Sequence, residues 1–276
     1  MRLRTKLLVP VIGAIGLLLL SFVVVFLRAQ GQARARVAAE GAQQARDAFR
    51  EQIDGSARTM ESVLRVLAMD GRLLAAFRAG DRATLLARGI PALDALRRDQ
   101  NVTHLYFHRR DRTNLLRVHH PEEHGDLVKR ATLLEAERTG GVAKGLERGP
   151  IGRFVLRVVL PWSDGGERAG YLELGKEFID IAREVHESHR FEVIVALDKR
   201  QLNRDQWERA GQTISWSRYP DVVVVAQTVE GIPAGVGGWL AGSRSRAGPG
   251  QVEHGGRVLH ASYQPLLGPT ASPSAS

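Results

Sequence analysis

From Leu7 to Leu27 the chain reads LLVPVIGAIGLLLLSFVVVFL, 21 residues without a charged side chain. No other stretch restricts the fold as much, because about 20 helical residues cross a hydrocarbon core. The apolar region of a cleaved signal peptide is shorter, about 7 to 15 residues, and ends at a small-residue site. Here the run ends in Phe26-Leu27-Arg28. The expectation is an uncleaved signal anchor over residues 7–27, with 1–6 on the cytoplasmic side. Flanking charge does not orient it, since Arg2, Arg4 and Lys6 precede the run while Arg28, Arg34, Arg36 and Arg46 follow it.

The rest of the 276 residues should fold in water. Apolar residues make up 43% and charged residues 25%, which are globular proportions and argue against an all-membrane or disordered chain. Cysteine is absent, which removes disulfides, thiolate metal sites and cysteine nucleophiles. The net charge of +9 is concentrated near the anchor, where residues 1–58 hold nine basic against four acidic side chains. The other 218 residues are nearly balanced, with 30 basic and 26 acidic groups, so the expected partner of the basicity is a lipid bilayer and not nucleic acid.

Between residues 29 and 69 apolar positions recur at three-and-four spacing, through Ala42, Ala45, Phe49, Ile53, Ala57, Met60, Leu64 and Leu67. This predicts one long amphipathic helix. A second helix is expected over 82–99, interrupted at Gly89-Ile90-Pro91. Short runs rich in Val, Leu, Phe and Tyr then follow at 102–108, 114–119, 142–147, 152–162 and 168–175, with turn residues between several of them and a helix over 127–138. Helical spacing resumes over 177–189, and 191–197, 221–228 and 257–263 read as further strands. The glycine cluster from Gly231 to Gly242 lacks the lysine of a phosphate loop and reads as a turn or connector. A Ser/Pro/Ala tail from 265 to 276 has nothing to bury.

Strand alternation places Tyr106 with His108, Arg117 with His119, and Tyr171 with Glu173, and isolates Arg157 among apolar neighbours. Such groups on neighbouring strands could line a pocket, with Trp162 and the tyrosines as apolar walls, or form a solvated outer face. Arg117 and Arg157 are candidate anchors for an anionic group. The segment His119-His120-Pro121-Glu122-Glu123-His124-Gly125-Asp126 is dense in potential metal ligands but matches no helical His pair, so a periplasmic metal-binding or hydrolytic protein is the alternative. Walker, nucleophile-elbow, dinucleotide and HExxH signatures are all missing, and neither catalysis nor a cofactor is expected.

Several ordered motifs resemble the membrane-distal module of double Cache sensor domains: His104-Leu-Tyr-Phe-His108, Asp111-Arg112-Thr-Asn-Leu-Leu-Arg117-Val-His119, Pro121-Glu-Glu-His124-Gly125-Asp126, Thr132 to Gly140, Phe154 to Trp162 and Gly170-Tyr171-Leu-Glu173-Leu-Gly175. The match is dense over residues 100–180 and looser to 265. The resemblance implies an α+β fold: a helical stalk region over 28–99, a membrane-distal PAS-like module over 100–180 and an incomplete membrane-proximal one over 181–264. It also implies small-molecule sensing outside the cytoplasm, by the sensor part of a histidine kinase, diguanylate cyclase or chemoreceptor, with a homodimer through the stalk. Tyr106, His108, Arg117, His119, His124, Asp126, Arg157, Trp162, Tyr171 and Glu173 are carried over as ligand contacts. The output domain of such receptors is missing from this sequence, which leaves a receptor fragment without function as a further alternative.

Overall fold

The computed structural model describes residues 2–149, 152–209, 216–242 and 250–263, the side chains of 2–12 and 34 excepted. The tail expected from residue 265 lies outside the described residues. Helix α1 runs unbroken over Arg2–Ala68, so the apolar span and the amphipathic stretch after it are one element. Its most apolar window, of mean hydropathy 2.0, is unburied, and α1 is the one helix among the described residues long and apolar enough to cross a membrane. Further along, Ala57, Met60 and Leu64 turn inward, as their spacing requires.

Helix α2, Gly71–Ala79, was not foreseen from periodicity, yet its ends are written locally. The Asp70 carboxylate accepts from the backbone N–H groups of Arg72 and Leu73 at 2.9 and 3.1 Å, and Gly80 closes the helix with φ 67°. Helix α3, Arg82–Gln100, passes straight through Pro91. The expected interruption is absent because this face is held by packing. Leu85, Gly89 and Leu93 are buried, and a Cβ on Gly89 would lie 2.8 Å from Val118. Gly89 permits a close helix–sheet approach, and that burial outweighs the hydrogen bond lost at proline.

Strands β1 (Val102–Arg109), β2 (Asn114–Arg117), β3 (Ala143–Arg148), β4 (Phe154–Asp164) and β5 (Glu167–Glu177) form one antiparallel sheet in the order β2-β1-β5-β4-β3. Helix α4, Ala131–Thr139, starts later than the expected 127 because Leu127 instead pairs with Thr113. One sheet face carries Leu105, Phe107, Leu156, Val158, Leu160, Trp162, Leu172 and Leu174, packed on Met60, Leu64, Leu73, Phe77, Leu85 and Leu93 of the first three helices. On the other, α4 covers a smaller apolar cluster of Val128, Leu133, Ala136, Ala143, Val159 and Tyr171. Beside that cluster the same face turns polar.

Helix α5, Phe178–His189, returns along α1. Its Glu184 accepts from Lys176 of β5 at 2.7 Å, from Gln52 of α1 at 2.6 Å and from Asn101 at the α3–β1 corner at 2.8 Å, so one carboxylate joins three parts of the fold. After α5 the architecture loosens. Strands β6 (Ile194–Asp198) and β7 (Val222–Gln227) pair with each other, with the short helix α6, Arg204–Arg209, between them in the chain. Strands β8 (Gly250–His254) and β9 (Arg257–Ala261) make a separate hairpin. The glycine cluster read as a connector is helix α7, Ala234–Gly242. Gly235 lets Val252 approach, since a Cβ there would lie 2.7 Å from it, and Trp239 meets Tyr263 at 5.5 Å. Tertiary packing thus overrides the poor helix propensity of its glycines.

Candidate functional site

Tyr106 sits at the centre of the polar face. Register places it between Arg117 of β2 and Glu173 of β5, and places His104 and His108 two residues to either side on its own strand. The three β1 rings form a ladder, His104–Tyr106 at 6.0 Å and Tyr106–His108 at 5.4 Å, both stacked. His119 stands edge-on to it, 4.5 Å from His104 and 4.7 Å from Tyr106. Three guanidinium groups face the phenol ring: Arg130 at 4.6 Å, Arg157 at 5.6 Å and Arg117 at 5.9 Å.

Each of those guanidinium groups already has a carboxylate partner. Arg117 pairs with Asp126 through two bonds, of 2.8 and 2.7 Å. Arg130 and Arg157 both donate to Glu173, at 2.7 and 2.5 Å, and Arg157 also lies 3.6 Å from Glu147. Glu147 in turn accepts from the Thr132 backbone N–H at 2.6 Å, at the start of α4. Glu173 is fully buried. Burial alone would raise its carboxyl, but Arg130 and Arg157 reverse that and hold it well below the usual carboxylate range.

His108 completes the Glu173 shell at 3.0 Å through Nε2, while its Nδ1 faces the Asn114 side-chain amide nitrogen at 3.3 Å. The amide donates, so Nδ1 accepts and the ring proton sits on Nε2, directed at Glu173. Burial depresses His108, and the neutral ring is the form this shell holds. His104 is pushed down to about 4 by burial and then by Arg157. His119 is pushed down to about 3 by burial and then by His104 and His120. At neutral pH His104, His108 and His119 are therefore uncharged.

Among the described residues, Arg130 Nε, Thr132 Oγ1, His119 Nδ1 and Asn114 Oδ1 are buried without a hydrogen-bond partner, and Arg157 Nε has only its 3.6 Å ion pair with Glu147. Unsatisfied buried groups are uncommon and costly, and here several share one sheet face. The side chains of Arg117 and Arg130 are 13% and 21% exposed and lie on the solvent side of the cluster.

Of the expected contacts, Tyr106, His108, Arg117, His119, Arg157 and Glu173 are brought together. Asp126 joins them only as the partner of Arg117. Tyr171 shares the face but belongs to the apolar cluster under α4, with its hydroxyl taken by Arg168 at 3.2 Å. Trp162 is a correction. It has the parity of Val158 and Leu160, packs on Phe77 at 5.0 Å on the opposite face, and donates its indole N–H to the Ala68 carbonyl at 3.0 Å. His124 is exposed in the loop and does not reach the cluster. The His119 to Asp126 segment does not converge on one point, and among the described residues no three His, Asp or Glu side chains gather as a metal ligand set.

Arg130, Thr132, Asn114 and Glu147 were not anticipated. Glu147 could have been found, because β3 register puts Gly145 opposite Arg157 and so Glu147 on the same face. Arg130 fell inside the helix expected over 127–138 and is instead the residue just before α4, so helical spacing gave no sign that it reaches the sheet. A separate groove of about 920 Å³ opens at the end of the sheet, lined by Phe77, Arg78, Arg109, Asp111, Glu167 and Arg168, and it shares no residue with the Tyr106 cluster.

An antiparallel five-stranded sheet, backed by helices on one face and bearing a polar aromatic cluster on the other, is the PAS-like architecture of sensor domains. The model of the double sensory domain of two-component sensor kinases matches residues 37–229, and the chain belongs to that family, the third of the double Cache families. Solved structures of similar fold include the Escherichia coli DcuS sensor domain, 18% identical over 49% of this chain and 98% of that one, with a TM-score of 0.42. The Vibrio cholerae DctB histidine kinase sensor domain is 13% identical over 58% of this chain and 62% of that one, with a TM-score of 0.45. The ligand-binding domain of the Campylobacter jejuni chemoreceptor Tlp3, in complex with L-valine, is 12% identical over 63% and 77%, with a TM-score of 0.29. No curated protein sequence matches the chain.

Proposed function

We propose that this chain is the small-molecule-sensing part of a membrane-anchored receptor, with α1 crossing the bilayer and the sheets on the extracytoplasmic side. Residues 100–180 form the membrane-distal sensory module and 181–264 the membrane-proximal one, and the ligand sits against Tyr106 in the first. The observation that carries this reading is the set of buried polar atoms without a hydrogen-bond partner on the sheet face that Tyr106 centres. The role we assign is binding, since the carboxylates of the cluster are already taken up by arginines. Two copies meet through the stalk, whose residues from Arg28 to Arg36 expose every described side chain.

A thermal-shift screen of the full chain in lipid nanodiscs, against amino acids, organic acids, amines, purines and divalent metals, tests this. A ligand at 100 times its dissociation constant should stabilise the fold by about 2.7 kcal/mol. The expected result is a shift with an organic molecule that Tyr106→Ala abolishes while its melt stays cooperative. A shift with metal alone, or with nothing, would overturn the reading.

A further inference from the structure

The sensing site carries its own anion. Glu173 occupies the position between Arg130 and Arg157 where a ligand carboxylate would otherwise be clamped, accepting from both guanidinium groups and from His108. The remaining guanidinium facing Tyr106, Arg117, is held bidentately by Asp126. Around the ring, three arginines meet three carboxylates, those of Glu173, Asp126 and Glu147, and the histidines are neutral. A charged guest would enter without a counter-ion and lose its hydration, whereas an uncharged one loses only hydrogen bonds that the site can replace. The replacements are at hand. Arg130 Nε and the Thr132 hydroxyl are donors without a hydrogen-bond partner among the described residues, and His119 Nδ1 and Asn114 Oδ1 can serve as acceptors.

Resting on the sensory reading above, we infer that Glu173 is the specificity-determining residue of the distal site, excluding carboxylate ligands and selecting uncharged polar molecules with both donor and acceptor groups. This departs from the expectation that Arg117 and Arg157 anchor an anion. Removing the Glu173 side chain should invert the preference, because it frees two guanidinium groups and leaves a space of carboxylate size between them.

The test uses acetate as a stand-in for the missing side chain, with acetamide and matched chloride as controls, on the full chain in nanodiscs. Acetate should leave the wild-type melting midpoint unchanged and raise that of Glu173→Ala by about 3 °C or more at saturation, with acetamide much weaker. The rise should vanish in Glu173→Ala/Arg157→Met. If Glu173→Ala does not fold, Glu173→Ser opens the same space with a small polar side chain, and its midpoint should rise with acetate in the same Arg157-dependent way. A folded variant indifferent to acetate would overturn the inference. So would a wild-type shift with acetate that Arg157→Met removes, since the clamp would then be open to ligand anions. Neither readout needs the natural ligand, so a failed ligand screen alongside acetate rescue would count against the sensory reading and not against the occupied clamp.

Discussion

The five-stranded sheet and the strands that follow α5 are built from similar β-rich sequence but differ in how completely their faces are covered. Along β4 and β5 every residue from Val155 to Trp162 except Pro161, and every one from Gly170 to Lys176, is buried, because α1–α3 close one face and α4 with the ion-paired cluster closes the other. In β8 and β9 only Val252 is buried, and β6 and β7 bury Val195, Val223 and Val224 between them. A two-stranded pair cannot shield an apolar layer alone and depends on what lies against it. Strand propensity thus made both regions pleated, while helices placed on both sides made only one of them a closed core.

That contrast predicts a steep difference in what mutations do. Trp162→Ala removes the ring between Phe77 and Phe107 together with the bond to Ala68, and should cost about 3–5 kcal/mol, read as a large fall in the main melting transition of the full chain. If it costs no more than a hairpin substitution, the closed-core account of the large sheet fails.

Acid should strike the same region next. His104 and His119 bind protons more weakly when folded than when unfolded, so their contribution is intact above about pH 6.5 and is lost as pH falls toward about 4 and then 3. Glu173 acts in the same direction, its stabilisation present above the unfolded carboxylate range and lost as pH falls below it. By linkage the two histidines together should contribute on the order of a few kcal/mol. Melting midpoints recorded from pH 7 to 4 should fall, and His104→Gln with His119→Gln should flatten the decline between 6.5 and 4. An unchanged slope in that double variant would place the acid sensitivity elsewhere.

The smallest effect is expected at the other end of the comparison. Val252→Ala removes the one buried side chain of the hairpin and should cost about 1 kcal/mol, visible as faster amide exchange across β8 and β9 with the main transition unmoved. Exchange there as slow as in β4 would show that the hairpin shares the core's cooperativity.

These contrasts also mark what could be read in advance. The apolar run, the five strands and the pairing of Tyr106 with His108 and of Tyr171 with Glu173 are properties of local period, and alternation alone carries them. Pro91 and the glycines of α7 misled because their effect was decided by partners distant in sequence, Val118 for Gly89 and Val252 for Gly235. Trp162 was readable and misassigned, since parity with Leu160 already set it on the core face. The Glu173 clamp was legible only in part: its strand residues follow alternation, whereas Arg130, expected within a helix over 127–138, reaches it from the position just before α4, which helical spacing does not foretell.

Helix α1 spans 67 residues without a break, about 100 Å at the standard rise, and its last carbonyl is gripped by an indole seated in the core of the sheet. A helix bends readily but resists stretching and unwinding, since either would lengthen every hydrogen bond along it. The part of any sheet movement that runs along or around the helix axis therefore has no joint in which to dissipate before the apolar end, and sideways tilt is the component the structure filters out.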